Sequence, residues 1–202
     1  MPESQQKPRT ARAAGIVQAV HAATPHMRRI TVGGADIAEF LKIDGIDAPA
    51  AWVKVFLPCG EGRAYTIRRI NPPAATLELD FVLHGTGDDS GPAARWAAQA
   101  SAGDQLWIAG PRSGGFLLPG DARWVMLAGD ATALPGMQSI AGQLPAGINA
   151  KVYAEVHSEQ EQQPIDSPAA NRGDRCRGWR LGRSVKVRWT WADDARAPEQ
   201  CK

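Results

Sequence analysis

The chain has 202 residues, 44% of them hydrophobic and 22% charged, with a formal net charge of +2. That length fits one large domain or two small ones. The composition is that of a folded globular chain rather than a disordered one, and so small a net charge makes no electrostatic case for nucleic acid.

The opening stretch MPESQQKPRTARAAG is polar, lacks the apolar segment of a secretory signal and reads as a loose tail over residues 1–14. Short strand-like runs follow. GIVQAVHAA and MRRITVGG flank Thr24-Pro25, which marks a bend between two strands. AWVKVFLP alternates and stops at Pro58, RAYTIRRI follows the turn residues 59–62, and TLELDFVLHG puts Leu77, Leu79, Phe81 and Leu83 on one face. GPAARWAAQA is alanine-rich and begins Gly-Pro, so it predicts a short helix with Pro92 near its first turn. DQLWIAGP is one more strand. Many short strands, frequent turns and one small helix predict an antiparallel barrel over residues 15–118.

The texture changes after the Gly/Pro-rich linker GPRSGGFLLPGD. ARWVMLAG is a continuous apolar run, expected of a strand buried on both faces. DATALPGMQSIAGQL turns helical in its second half, and NAKVYAEV is another strand, so a parallel α/β unit is expected to begin near Asp121 and run to the end of the chain. SVKVRWTW reads as one further strand. Residues after about 166 are otherwise atypical, and the second domain is expected to be shortened, since a doubly wound sheet normally has five or more strands.

No apolar run approaches the roughly 20 residues of a membrane helix, so no membrane insertion is expected. Cys59, Cys176 and Cys201 have no metal-ligand spacing and fit reduced thiols, which points to the cytoplasm. The four histidines, His21, His26, His84 and His157, are scattered and read as surface or packing residues. With no paired carboxylates and no Ser-His-Asp or Cys-His arrangement, acid–base hydrolysis is a poor fit and no metal ligands are expected.

Four stretches carry chemistry. In RAYTIR, a strand places Arg63, Tyr65 and Ile67 on one face and Thr66 and Arg68 on the other. That offers a flat stacking surface, a hydroxyl and a guanidinium fork for phosphate, or else a solvated basic edge strand. HGTGDDSGPAARWA leads a glycine-rich loop into a helix start, where free amides suit a phosphate, although Asp88 and Asp89 argue for a plain turn. GPRSGGF is the third. LAGDATALPGM sets a Gly-Asp turn between strand and helix, where α/β sheets bind ligands, without the G-x-G-x-x-G fingerprint.

Together with TPHMRRITVGG and VYAEV, these blocks resemble, from about Gly15 to about Asp166, the siderophore-interacting proteins, flavin-dependent ferric-siderophore reductases of the ferredoxin-reductase-like superfamily. The resemblance implies an FAD-binding barrel followed by a shortened NAD(P)H-binding α/β domain. It implies that Arg63 meets flavin phosphate, that Tyr65 stacks beside the isoalloxazine, that Thr66 lies near its redox-active nitrogen and that Arg68 adds a polar contact. His84 and Gly85 would line the cofactor, and Gly91, Pro92, Ala93 and Ala94 would receive the pyrophosphate, with Ala94 standing where the family usually has serine. Gly129, Asp130, Thr132 and Ala133 would face the nicotinamide of NADH or NADPH, with Ala131 where the family usually has glutamate. Lys54, Arg69 and Arg112 are candidates for docking an anionic ferric siderophore, against the simpler reading of solvated surface charge. The stretch from Asn171 departs from the family's pattern and reads like a shifted frame. The expected activity is electron transfer from NAD(P)H, or from ferredoxin, through FAD to Fe(III). The alternatives are a general flavin or ferredoxin-type oxidoreductase and a flavin- or iron-chelate-binding protein without turnover.

Overall fold

The computed structural model describes residues 12–85, 90–168, 177–181 and 184–191. Six of its strands come from the alternating runs of the first half: β1 (Ala13–Thr24), β2 (Met27–Gly33), β3 (Trp52–Phe56), β4 (Gly62–Asn71), β5 (Thr76–Val82) and β6 (Gln105–Arg112). They close into an antiparallel barrel in the order β1-β2-β5-β4-β3-β6. The first strand starts at Ala13, inside the stretch expected to be tail, because Ala13 and Ala14 pair with Ile108 and Trp107 at the barrel seam. Alternation explains the core. Ile30, Val32, Val53, Leu77, Leu79 and Phe81 all point inward and are completely buried. Helix α1 (Ala35–Phe40), too short to announce itself in the sequence, buries Ile37 and Phe40 against that core. Helix α2 (Pro92–Gln99) starts at Pro92 as expected and lays Ala93, Trp96 and Ala97 against the barrel, the Trp96 ring 5.5 Å from that of Phe81.

One irregularity matters for the site. Along the β4–β5 ladder, Ile67 pairs with Leu79 and Arg69 with Glu78, so Arg68 is an extra residue in a β-bulge. The bulge breaks strict alternation, and Ile70 rather than Arg69 returns to the core.

The second half forms a four-stranded sheet, β7 (Trp124–Asp130), β8 (Asn149–Val156), β9 (Arg177–Leu181) and β10 (Ser184–Trp191), in the order β7-β8-β10-β9. β7 and β8 are parallel and joined through helix α3 (Leu134–Ala141), as the βαβ pattern predicts. The sheet is mixed rather than parallel throughout, because β10 runs antiparallel to both β8 and β9. SVKVRWTW is β10, as expected.

The expectation that ARWVMLAG is buried on both faces is corrected. β7 ends the described sheet, Leu127 packs inward, and Trp124 and Met126 lie at the surface, 63% and 56% exposed. A short apolar run does not distinguish a central strand from an edge strand with one apolar face outward.

The halves meet through a junction that is packed rather than loose. Phe116 and Leu118 of the linker pack on the second core. Gly114 lies so close to the Ala50 carbonyl that no side chain fits there, and Ala50 N–H donates to Ser139 Oγ on α3 at 3.1 Å. No helix of the described residues is long and apolar enough to cross a membrane. The first 11 residues, Thr86–Asp89 and most of the stretch after Asp166 that was singled out as atypical lie outside the described residues.

Candidate functional site

A cavity of about 260 Å³ lies where β4, the end of β5, the start of α2 and the turn before α3 converge. β4 contributes Arg63, Ala64, Tyr65 and Thr66, β5 and its exit contribute Asp80, Val82 and His84, α2 contributes Gly91, Pro92, Ala93 and Ala94, and the turn adds Thr132 and Pro135. Tyr65 is fixed from below by Phe81, their ring centroids 4.0 Å apart. Burial pushes its phenol up to about 12, against a smaller opposing pull from the Arg63 charge, so the hydroxyl stays neutral.

The helix start is ready for an anion. Gly91 is extended at the N-cap and supplies no side-chain cap, Pro92 has no N–H, and the first turn holds no acidic residue. The amides of the next turn positions are those that a helix leaves without internal partners. Arg63 stands at the mouth, more than half exposed, 2.9 Å from Glu61 and donating to the Gly62 carbonyl at 3.3 Å. An aromatic plate, an uncapped helix start and an exposed guanidinium fit a flat cofactor with a phosphate tail.

Arg68 is turned elsewhere. Its guanidinium lies 3.7 Å from both Glu78 and Asp80, and its buried Nε has no hydrogen-bond partner. Arg29 holds the fully buried Asp80 carboxylate through two parallel 2.8 Å hydrogen bonds. Burial first, and the neighbouring Arg29 charge second, lower the Arg68 pKa, while the hydrogen bond to Asp80 raises that of Arg29. Two arginines and two carboxylates thus form a network beside the cavity, and the bulge is what aims Arg68 into it.

The turn after β7 is built by Asp130. Its Oδ1 accepts from the Thr132 amide at 2.9 Å, the Thr132 hydroxyl at 2.6 Å and the Ala133 amide at 3.2 Å. The Thr132 hydroxyl bond is the main reason that its carboxyl pKa is lowered. Gly129 is required there by a close approach, since an added Cβ would sit 2.5 Å from that of Ala133.

Two larger spaces adjoin. A groove of about 560 Å³ shares Ala64, Tyr65 and Thr66 with the first cavity and continues over Trp52, Ala133, Gly136 and the outward side of β7 at Met126 and Ala128. Trp52 is braced by its Nε1–H donating to the Ser113 carbonyl at 3.1 Å, with the Arg112 guanidinium 5.2 Å from its ring. A third cavity, about 520 Å³, lies at the carboxyl ends of β7 and β8 and is lined by His26, His84, Gly85, Ala131, Leu134, His157 and Glu161, among others. Glu161 is buried and accepts hydrogen bonds from the Thr24 hydroxyl and the His26 amide, with His26 Nδ1 at 2.6 Å.

Of the residues singled out in the sequence, Arg63, Tyr65, Thr66, His84, Gly91, Pro92, Ala93, Ala94 and Thr132 meet around one cavity. Gly85 lines the third space, with a φ of +77° that favours glycine, and Ala133 lines the groove. Gly129 and Asp130 shape the turn from behind. Lys54, Arg69 and Arg112 do not converge: Lys54 is exposed 5.4 Å from the Phe56 ring, Arg112 lies against Trp52, and Arg69 shares a small polar cleft with Arg68 and Asp166. The histidines are less scattered than their spacing implies, since His26, His84 and His157 line one cavity and the rings of His26 and His157 are 4.9 Å apart. Asp80 and Trp52 were not anticipated in the site. Asp80 had a signal, a second carboxylate two residues after Glu78 in an otherwise apolar strand, whereas Trp52 reaches the groove only because β3 pairs with β4.

Comparisons with known proteins converge on one family. Residues 59–115 match the siderophore-interacting FAD-binding domain, and residues 122–177 match the siderophore-interacting protein family. The ferric vibriobactin reductase ViuB of Vibrio cholerae is 30% identical over 165 residues, covering 71% of this chain and 58% of that one. The mycobactin import ATP-binding/permease protein IrtA of Mycolicibacterium smegmatis is 32% identical over 153 residues, covering 72% of this chain but only 17% of that protein. The chain therefore spans little more than half of the first relative and a small part of the second. Among solved structures, the siderophore-interacting protein SipS from Aeromonas hydrophila superposes with a TM-score of 0.67 at 30% identity, over 80% of this chain and 66% of that one.

Proposed function

The chain belongs to the siderophore-interacting protein family, and on that premise we propose that it is an FAD-dependent reductase of ferric siderophores, working in the cytoplasm with NADH or NADPH as donor. The observation that carries the proposal is the meeting, in one cavity, of a Tyr65 plate fixed on Phe81 with the uncapped start of α2. The residues fit FAD. Tyr65 would hold the isoalloxazine plane, Thr66 would offer its hydroxyl to the ring edge, and the turn amides of α2 together with Arg63 would hold the pyrophosphate. Bound flavin supplies the exchange between a two-electron donor and a one-electron Fe(III) acceptor. The protein's part is orientation and exclusion of water. β4 fixes one side of the cavity, and the Asp130 turn holds Thr132 and the start of α3 against the other. The cavity at the carboxyl ends of β7 and β8 supports a nucleotide donor, because open α/β sheets take ligands there. Fe(II) is held less well than Fe(III) by hard oxygen ligands, so reduction releases the metal without an iron ligand on this chain.

The test is reconstitution with FAD followed by anaerobic titration with NADH and then NADPH. Flavin bands that bleach, and that return when a ferric catecholate or hydroxamate is added with an Fe(II) trap developing colour, are the expected result. A chain that takes up no FAD would sink the proposal. A second reading, flavin binding without nicotinamide turnover, is favoured by one observation. Among the described residues the nucleotide half has a single parallel pair, β7 and β8. Bound FAD that NADH and NADPH leave oxidised, but that reduced ferredoxin or dithionite bleaches, would select it.

A further inference from the structure

The third cavity holds a pair of side chains that lie far apart in the sequence. His26 sits in the turn between β1 and β2 of the barrel, and His157 directly follows β8 of the second sheet. Their ring centroids are 4.9 Å apart and the rings are tilted by 59°, so they are not stacked face to face. Two imidazoles bound to one metal ion, at about 2.0–2.1 Å per bond and about 90–109° between bonds, have centroids about 4.5–5.2 Å apart. The pair already stands at that spacing.

Glu161 is a second, independent observation. It is buried, and its Oε1 lies 2.6 Å from His26 Nδ1. An ionised carboxylate only accepts, so Nδ1 carries the proton and Nε2 keeps its lone pair. Glu161 Oε2 accepts from the Thr24 hydroxyl and the His26 amide, which holds the carboxylate in place. A carboxylate behind one ring nitrogen fixes the tautomer and raises the basicity of the other, as it does for metal-binding histidines. No three candidate ligands gather among the described residues, so the protein would supply two and leave the other positions to water or a small ligand.

We propose that His26 and His157 hold one divalent transition-metal ion of the kind that favours imidazole (zinc, nickel or copper) across the junction of barrel and second sheet, with Glu161 as the positioning residue behind His26. Such an ion ties the β1–β2 turn to the end of β8, and by binding the folded chain it stabilises that chain. The inference does not rest on the flavin reading.

Calorimetric titration of the full chain with Zn²⁺ and with Ni²⁺, paired with thermal melting, tests it. The chain's three cysteines also attract zinc, so the histidine variants decide. Wild type should bind one ion and melt at a higher temperature with it. His157 is exposed, so His157→Ala should fold normally, weaken binding at least about tenfold and lose the rise in melting temperature. Glu161→Gln should weaken binding about tenfold, and His21→Ala, exposed on β1, should change nothing. A chain that takes up neither ion overturns the proposal, and so do binding and a melting shift that survive His157→Ala. Full affinity in Glu161→Gln overturns the role given to the carboxylate.

Discussion

Every strand of the barrel has two hydrogen-bonded neighbours, whereas the described second sheet leaves β7 and β9 with one each. The consequence is visible at the site. The barrel's contribution, Arg63 to Thr66, sits on a ten-residue strand whose first half pairs with β3 and whose second half, from Ile67, pairs with β5. The second sheet's contribution hangs on one turn that Asp130 caps and on the seat of α3 against β4, where an added Cβ at Gly136 would lie 3.7 Å from Thr66 Oγ1. A closed ladder gives a fixed platform. An open sheet leaves its share of the site on a single turn.

The comparison breaks most sharply at the barrel's buried charges. Asp80→Leu should destabilise the chain by about 3–5 kcal/mol, because Arg29 and Arg68 are left without their buried acceptor. Adding Arg29→Met should recover a good part of that loss. Urea unfolding measures both, and a double variant as unstable as the single one would show that the network is not the cause. Cavity formation comes next. Leu79→Ala, fully buried at the barrel centre, should cost about 2–5 kcal/mol, and Leu127→Ala, 8% exposed on the edge strand, should fall near or below the low end of that range. The reverse order would remove the distinction between platform and open sheet.

Much of the platform was legible in the sequence, and the reason is periodicity. The alternation in TLELDFVLHG specifies β5 because one face must be buried, and Gly91-Pro92 specifies the start of α2 because proline's missing N–H costs nothing there. The order of the blocks was enough to bring Tyr65, His84 and Ala93 together. What was not legible depends on contacts between distant residues. The bulge at Arg68 appears only once the registers of β4 and β5 are known, and it moves Arg68 from a cofactor contact into an ion network. The clustering of His26, His84 and His157 arises where a barrel turn meets the end of β8, a separation that no local pattern encodes. The apolar run of β7 is compatible with two environments, and the neighbour that decides between them is not written in the run itself.

Smaller effects sharpen the comparison at the site. Tyr65→Ala should weaken FAD binding at least about tenfold, or about 1.4 kcal/mol, while Tyr65→Phe stays within about threefold, since the ring supplies the surface. Fluorescence titration reads both. With the phenol pushed up to about 12, flavin affinity should not change through Tyr65 between neutral pH and about pH 10. The smallest effect lies where the halves are clasped. Burial raises the Glu161 carboxyl, but the Thr24 and His26 hydrogen bonds outweigh it, leaving the group below its ordinary 4.5. A depressed carboxylate stabilises above its unfolded pKa and loses that contribution as pH falls through the folded value. Wild type should therefore lose about 1 kcal/mol more than Glu161→Gln between neutral pH and about pH 3, measured as melting temperature at each pH. Equal losses would remove Glu161 from the account.

The extra residue in β4 has one more consequence. It acts as a phase slip, dividing a single strand into two half-strands with opposite parity. Before Arg68 the outward positions address the cavity, and after it they address the cleft beside α3. Removing Arg68 would merge the two halves into one regular ladder, with Ile67 still opposite Leu79, Arg69 opposite Glu78 and Ile70 opposite Leu77. The core would keep its residues, and what would go is the guanidinium beside Glu78 and Asp80. The extra residue serves the ion network rather than the fold.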